Sequence, residues 1–235
     1  MVRIFWFQIS NIAECQCAWI ALLSRVLAAA VLFSFSMALA EGIGLTPKVI
    51  AWVEDKYGSS ARDKVSEWQE LIARHQGKDD MQLLRLVNDF FNQVPFYSDE
   101  QIWDKEDYWA TPVEMLSIDG ADCEDYSIAK YFTLREMGVP VDKLRITYVK
   151  AIELNQAHMV LAYYSRPGAE PLVLDNLIDR IVPASRRRDL KPVYSFNGEG
   201  LWLAKSRGMG KRVGTSKRIS LWEDLTARMA NEGKQ

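Results

Sequence analysis

A chain of 235 residues, 49% hydrophobic and 26% charged, has the make-up of an ordinary globular domain and excludes a disordered or collagen-like polymer. Its 29 basic and 31 acidic side chains leave a formal net charge of −2, too near balance to favour nucleic acid or an anionic membrane as partner.

The first forty residues read differently from the rest. Arg3 and Arg25 are the only basic residues before "VLAAAVLFSF" (Val26–Phe35), and "SMALA" then places Ala38 and Ala40 as a small-x-small site before Glu41. That is the charged, apolar, small order of a secretory signal, and ten residues are too few to span a bilayer. Residues 1–40 are therefore expected to be a cleaved signal peptide and 41–235 a single domain. The long stretch ahead of the apolar run leaves an uncleaved anchor or a later start as alternatives. Cleavage removes Cys15 and Cys17, leaving Cys123 alone among 27 basic and 30 acidic residues, a net charge of −3. Exported proteins usually pair their thiols, so a lone cysteine is either an inert buried one or a reactive group.

The elements follow in two runs. "PKVIAWVEDKYG", "ARDKVSEWQELIARH" and "DDMQLLRLVNDFFNQV" carry apolar residues at helical spacing and stop at Gly58, near His75 and before Pro95. Their aromatic stripes are core. His75 sits in a polar helix end, where capping is role enough. "YWATPVEMLSIDG" reads as a loop with a short helix. Glu124 to Met137 forms the next helix, with Ile128, Ala129 and Phe132 on one face and Gly138 and Pro140 as stop signals. The pattern then changes to period two in "LRITYVKA", "AHMVLAYY", "PLVLDN", "PVYSFN" and "LWLA". "SLWEDLTARMA" closes as a helix, with Ser220 as cap and Glu223 completing a capping box. Helices first and antiparallel strands later give an α+β fold. The basic run Arg186–Arg188 reads as a solvated patch.

Cys123 lies at a helix N-terminus, where free N–H groups and the macrodipole favour a thiolate. A nucleophilic cysteine needs a base and a group to orient that base. The mature chain offers two histidines, and His158 opens an apolar strand. "SRPGAE" puts Pro167–Gly168 in the middle of a type II turn, pairing Arg166 with Ala169 across two strands. That register sets His158 opposite Leu177 and Asp175 opposite Val160. His158 and Asp175 become diagonal neighbours on one face, roughly 7–8 Å apart before their side chains reach out. A slip of one residue would put them on opposite faces. A lone histidine is more often a satisfied core residue, but the helix-end cysteine and the aspartate on the computed face favour catalysis. The roles are Cys123 nucleophile, His158 general base and acid, and Asp175 orienter, with the Cys123 N–H a natural oxyanion donor.

"GADCEDYS", "AHMVLAYY" with its His 35 residues after the Cys, "LVLDN" with its Asp 17 further on, and "DYWATPVEML" upstream together resemble the bacterial transglutaminase-like cysteine peptidases, in particular the LapG-type periplasmic proteases. The resemblance covers most of the mature chain. It implies a papain-like transglutaminase core and periplasmic cleavage of a large surface adhesin in its N-terminal region, near paired alanines. It also implies control by an inner-membrane cyclic di-GMP receptor, which sequesters the protease.

Asp119, Asp122, Glu124 and Asp125 crowd the thiol. Asp122 as N-cap, with acids in the first turn, accounts for the helix but leaves the thiolate disfavoured. A bound Ca²⁺ would answer both, since it takes hard oxygen ligands and its charge offsets theirs. The resemblance implies calcium dependence and carries the ligand role onto Asp122, Glu124 and Asp125. Carbonyls of the preceding loop and water would supply the remaining oxygens. The same three catalytic residues would also serve a transglutaminase or amidase, and a non-catalytic binding module on this scaffold is a third reading.

Overall fold

The computed structural model describes residues 45–203 and 210–232. The signal peptide expected over residues 1–40 lies outside them. Among the described residues, no helix is long and apolar enough to cross a membrane.

Among the described residues, six helices precede the strands: α1 (Pro47–Tyr57), α2 (Ser59–His75), α3 (Asp80–Phe91), α4 (Asp99–Trp103), α5 (Pro112–Ile118) and α6 (Cys123–Glu136). Their starts follow the sequence closely. Thr46 caps α1 through its hydroxyl, Asp79 caps α3 through its carboxylate, and Thr111 with Glu114 forms a capping box on α5 ahead of Pro112. His75 Nδ1 lies 3.0 Å from the Leu71 carbonyl at the end of α2, the local role its position suggests. The five-residue α4 lies in a stretch whose apolar residues are too few to mark a helix.

Burial of α6 goes almost all the way round. Buried residues run from Asp125 to Lys130 and on through Tyr131, Thr133 and Leu134, while Phe132 is half-buried and stacks on Trp222 with centroids 5.4 Å apart. Such a helix needs partners on every side. Helical partners include α3 and α5, and Trp68 of α2, fully buried, donates its Nε1–H to Thr133 Oγ1 at 2.8 Å. The opposite side lies on β1 (Leu144–Ala151) and β2 (Gln156–Tyr163).

These strands are the centre of an antiparallel sheet completed by β3 (Leu172–Leu174), β4 (Val182–Pro183), β5 (Leu190–Asn197), β6 (Gly200–Leu203) and β7 (Lys211–Gly214), in the order β4-β3-β2-β1-β5-β6-β7. β4, two residues long, is too short and β7, with its Lys211–Arg212 pair, too polar to announce itself. The β2–β3 register is the one the turn dictates: Leu161 pairs with Leu174 and Tyr163 with Leu172, while Gly168 takes φ +76° and Ala169 N–H donates to the Arg166 carbonyl at 3.1 Å. β3 ends one residue before Asp175.

The last helix, α7 (Ser220–Met229), corrects one expectation. Its N-cap is Ile219, not Ser220, and no side chain caps it. A 3-10 turn over Ser216–Arg218 already leads the chain in, so the first helical bond runs from Glu223 N–H to the Ile219 carbonyl at 3.2 Å. Arg228 of α7 reaches back to the loop before α5: it donates to the Trp109 carbonyl, pairs with Glu114, and lies over the Tyr108 ring at 4.4 Å. Trp109, 4% exposed, is a core residue stacked on Phe196 with centroids 5.6 Å apart.

Phe196 also meets Trp222 edge-on at 5.3 Å and is fully buried, so it joins sheet, α7 and the loop. Phe196→Ala is expected to lower unfolding free energy by about 3–5 kcal/mol in urea titration, as emptied aromatic sites do. A loss below ~1 kcal/mol would mean that this junction is not part of the packed core.

Candidate active site

Cys123 is the first residue of α6 and is half-buried. Its N–H is among those a helix start leaves without an intrahelical acceptor. The sulfur donates to Glu124 Oε2 at 2.9 Å. Burial first, then the Glu124 and Asp122 charges, push the thiol pKa far up, and the Met159 N–H from the neighbouring strand acts the other way. That strand residue directly follows His158.

His158 and Asp175 meet as the hairpin arithmetic requires. His158 is 3% exposed, and its Nε2 lies 2.7 Å from Asp175 Oδ1. With Nε2 occupied, Nδ1 is the ring nitrogen left for a thiol proton. Asp175 has a fully buried side chain. Burial alone would raise its pKa, but the His158 hydrogen bond and charge, the Leu177 N–H at 3.1 Å and the Arg187 guanidinium together hold it below the usual range.

Arg187 is the residue the sequence reading misplaced. Far from being a solvated member of a basic run, it is 5% exposed, with NH1 2.6 Å from Asp175 Oδ2 and a forked contact to Asp189 through Nε at 3.0 Å and NH2 at 2.7 Å. A buried carboxylate with two oxygens needs a partner for each, and His158 supplies only one. Three consecutive arginines mask which of them turns inward. Asp189, two residues on, was the available signal.

The carboxylates divide. Asp119 is not part of the cluster: it caps α5 in a left-handed conformation (φ 59°) and pairs with Lys64. Asp122, Glu124 and Asp125 gather at the start of α6, and two further acids join them from upstream. Ligand-capable oxygens of Asp99, Asp107 and Glu124 lie within 4.8 Å of one another, as do those of Asp99, Asp122 and Asp125. Side-chain carboxylates, and not only carbonyls, thus come from the preceding loop. They organise it too: Asp99 Oδ2 accepts the Tyr108 N–H at 2.6 Å and Asp125 Oδ1 accepts the Ala110 N–H at 2.7 Å. The spacing of Asp99 and Asp107 from the cysteine follows no periodic rule that a sequence could reveal.

So many acids strain one another. Burial, reinforced by Glu124, Asp125 and Asp99, lifts the Asp122 pKa to about 10. Burial, with Glu124 and Asp107, lifts Asp99 to about 6 against the Tyr108 N–H and Lys105. Burial and Glu124 push Asp125 well up, and Asp107 rises for the same two reasons. Asp99 Oδ1 and Asp122 Oδ1 are buried without a hydrogen-bond partner. Hard anionic oxygens, two of them orphaned, fit a hard divalent cation, whereas the soft thiol beside them does not suit one.

The sequence profile described as "Bacterial transglutaminase-like cysteine proteinase BTLCP" matches residues 46–189. The chain belongs to this family. Solved structures of Legionella pneumophila LapG agree. One is 45% identical over 80% of this chain and 97% of its own, with a TM-score of 0.69. The EGTA-treated form is 45% identical over the same shares with a TM-score of 0.70. The calcium-bound form is 47% identical over 77% of this chain and 97% of its own, with a TM-score of 0.67. No curated protein matches the chain significantly. As a member of the family, the protein is a cysteine proteinase with the α+β, papain-like transglutaminase architecture.

Replacing Arg187 by Met leaves Asp175 Oδ2 buried and unpaired. Its carboxyl pKa then rises, so the acid limb of kcat/KM should move to higher pH and kcat should fall on the order of 10–100-fold, with Arg187→Lys restoring only part, because lysine lacks the fork to Asp189. A pH profile identical to that of the unaltered enzyme would remove Arg187 from the site.

Proposed function

We propose that the protein is a calcium-dependent periplasmic cysteine endopeptidase that cleaves the N-terminal region of a large surface adhesin near a paired-alanine site, releasing the adhesin and promoting biofilm dispersal. The observation that carries the chemistry is the buried His158–Asp175 pair at 2.7 Å, beside a thiol at a helix N-terminus. The kinship with LapG, including its calcium-bound form, supports the metal and the compartment. The charged, apolar and small order of residues 1–40 supports export with removal of that segment, leaving 41–235 as the enzyme. Control by an inner-membrane cyclic di-GMP receptor is the regulatory part of the same proposal, supported by the family resemblance.

The reaction follows from the positions. His158 Nδ1 takes the Cys123 proton, and the thiolate attacks the scissile carbonyl. Negative charge develops on that oxygen, where the Cys123 N–H at the helix start can meet it. The imidazolium, stabilised by Asp175, passes its proton to the leaving amine, and the C–N bond breaks. Water activated by His158 then resolves the thioester.

Asp122, Glu124 and Asp125, with Asp99 and Asp107, would hold the Ca²⁺. Its charge would offset the acids beside the thiol and so make the thiolate accessible. Five carboxylates approach the about six to eight oxygens that calcium takes.

Cleavage of a purified adhesin N-terminal fragment is expected to stop in EGTA, return with calcium, and be absent in Cys123→Ala. Cleavage indifferent to EGTA would confine the acids to helix capping and loop organisation. Amine-linked products in place of hydrolysed fragments would make the enzyme a transglutaminase.

Calcium uptake should also release protons. The folded carboxyls of Asp99 and Asp122, raised to about 6 and about 10, retain protons where an unfolded chain has lost them. For the metal-free protein these two groups therefore favour folding fully below about pH 4, and their contribution is lost as pH rises through the folded values. Calcium reverses that penalty, so the rise in melting temperature on adding calcium should be larger at pH 7.5 than at pH 5.5. An equal rise at both would exclude these carboxyls as ligands.

A further inference from the structure

Lys130 lies seven residues after Cys123 on α6, two turns along the same side and about 10 Å away by helical rise. It is completely buried. Among the described residues, no carboxylate is within salt-bridge distance of it: Nζ donates to Asn88 Oδ1 at 2.9 Å and Asn92 Oδ1 at 2.6 Å, and the Tyr126 ring centroid is 5.8 Å away. A cation buried among neutral oxygens is costly, and an apolar side chain of similar length would serve packing better. Its presence asks for another reason.

The two amides supply it. An ammonium has only donors, so it selects the oxygen end of each asparagine and turns the NH₂ ends outward. Asn92 Nδ2 then donates to the backbone carbonyl of Asp175 at 2.9 Å and to Asp179 Oδ1 at 2.9 Å, while Asn88 Nδ2 donates to the Asp179 carbonyl at 2.9 Å. Three acceptors of the Asp175–Asp179 loop are thereby tied, through α3, to the helix that begins with the cysteine. We propose that Lys130 is a positioning residue for proteolysis: it fixes the amide orientation of Asn88 and Asn92, and these hold the loop where Asp175 meets His158. The proposal rests on the Cys123–His158–Asp175 reading above.

The electrostatics agree. Burial draws the Lys130 pKa down to about 7, against the charges of Asp175, Asp179 and Asp89, which favour the cation. A neutral amine gains a lone pair that accepts, so the amides are no longer compelled to face the loop.

Asn92→Asp is the discriminating variant. It keeps an acceptor for Lys130, and indeed gives it a counter-ion, but it cannot donate to Asp175. The calcium-loaded protein would be compared as wild type, Asn92→Asp, Lys130→Met and Cys123→Ala. Two readouts serve: adhesin cleavage, and alkylation of Cys123 by iodoacetamide against pH, followed by mass spectrometry of its peptide. Asn92→Asp should remain folded with KM near wild type, while kcat falls ~10–100-fold, as misplacement of a reacting group does. Its alkylation profile should move toward that of an unassisted thiol. Lys130→Met should lower kcat and shift the alkylation profile in the same direction. Wild-type kcat and an unchanged alkylation profile in Asn92→Asp would overturn the proposal, and that variant decides the matter if Lys130→Met fails to fold. Full cleavage by Cys123→Ala would overturn the triad reading itself, and this inference with it. An inactive Cys123→Ala beside an unaffected Asn92→Asp would sink this inference alone.

Discussion

The structure is organised around a carboxylate that has no access to water. Both oxygens of Asp175 are claimed, one by His158 and the Leu177 N–H, the other by Arg187. An ionised group can occupy such a place only if its partners are held as firmly as it is. β2 must begin where His158 can reach, β3 must stop one residue early, and the chain must return with Arg187 facing inward. The geometry of the catalytic pair is thus bought with restrictions on three separate segments.

Beside Cys123, carboxylates gather with no lysine or arginine among the described residues in ion-pair contact with them, and their pKa values rise together with that of the thiol. The same residue type is held charged at one end of the site and pressed toward neutrality at the other. Asp175 is satisfied by the protein alone. The cluster around Asp122 is the part whose electrostatics call for something added, and this asymmetry separates the permanent part of the machinery from the part that solution conditions can govern.

Much of this was legible in the residues. Helix stops were written in Gly58 and Gly138, and the Pro167–Gly168 turn set a register that places His158 and Asp175 on one face. Local chemistry and period two fix those features without help from the rest of the fold. What escaped the sequence depended on tertiary context. Arg187 looks like its neighbours until Asp175 is seen to lack a second partner. Asp99 and Asp107 join the acid cluster only because the loop folds back over α6. Ser220 has the identity of a cap, but the preceding turn places it one position too far in. Lys130 sits in a helix whose burial runs nearly all round, and no amphipathic pattern marks it as inward-facing.

The contact from Arg228 to the loop before α5 has a consequence for how the molecule comes into being. That loop bears Asp107 and leads from Asp99, yet its clamp lies more than a hundred residues further along the chain. Closing so wide a separation is among the later events of folding. During synthesis, helices α1 to α6 can form and pack well before residue 228 exists. A partly made chain therefore carries the nucleophile long before its acidic surroundings are fastened in place, and the order of manufacture itself delays the assembly of a finished protease.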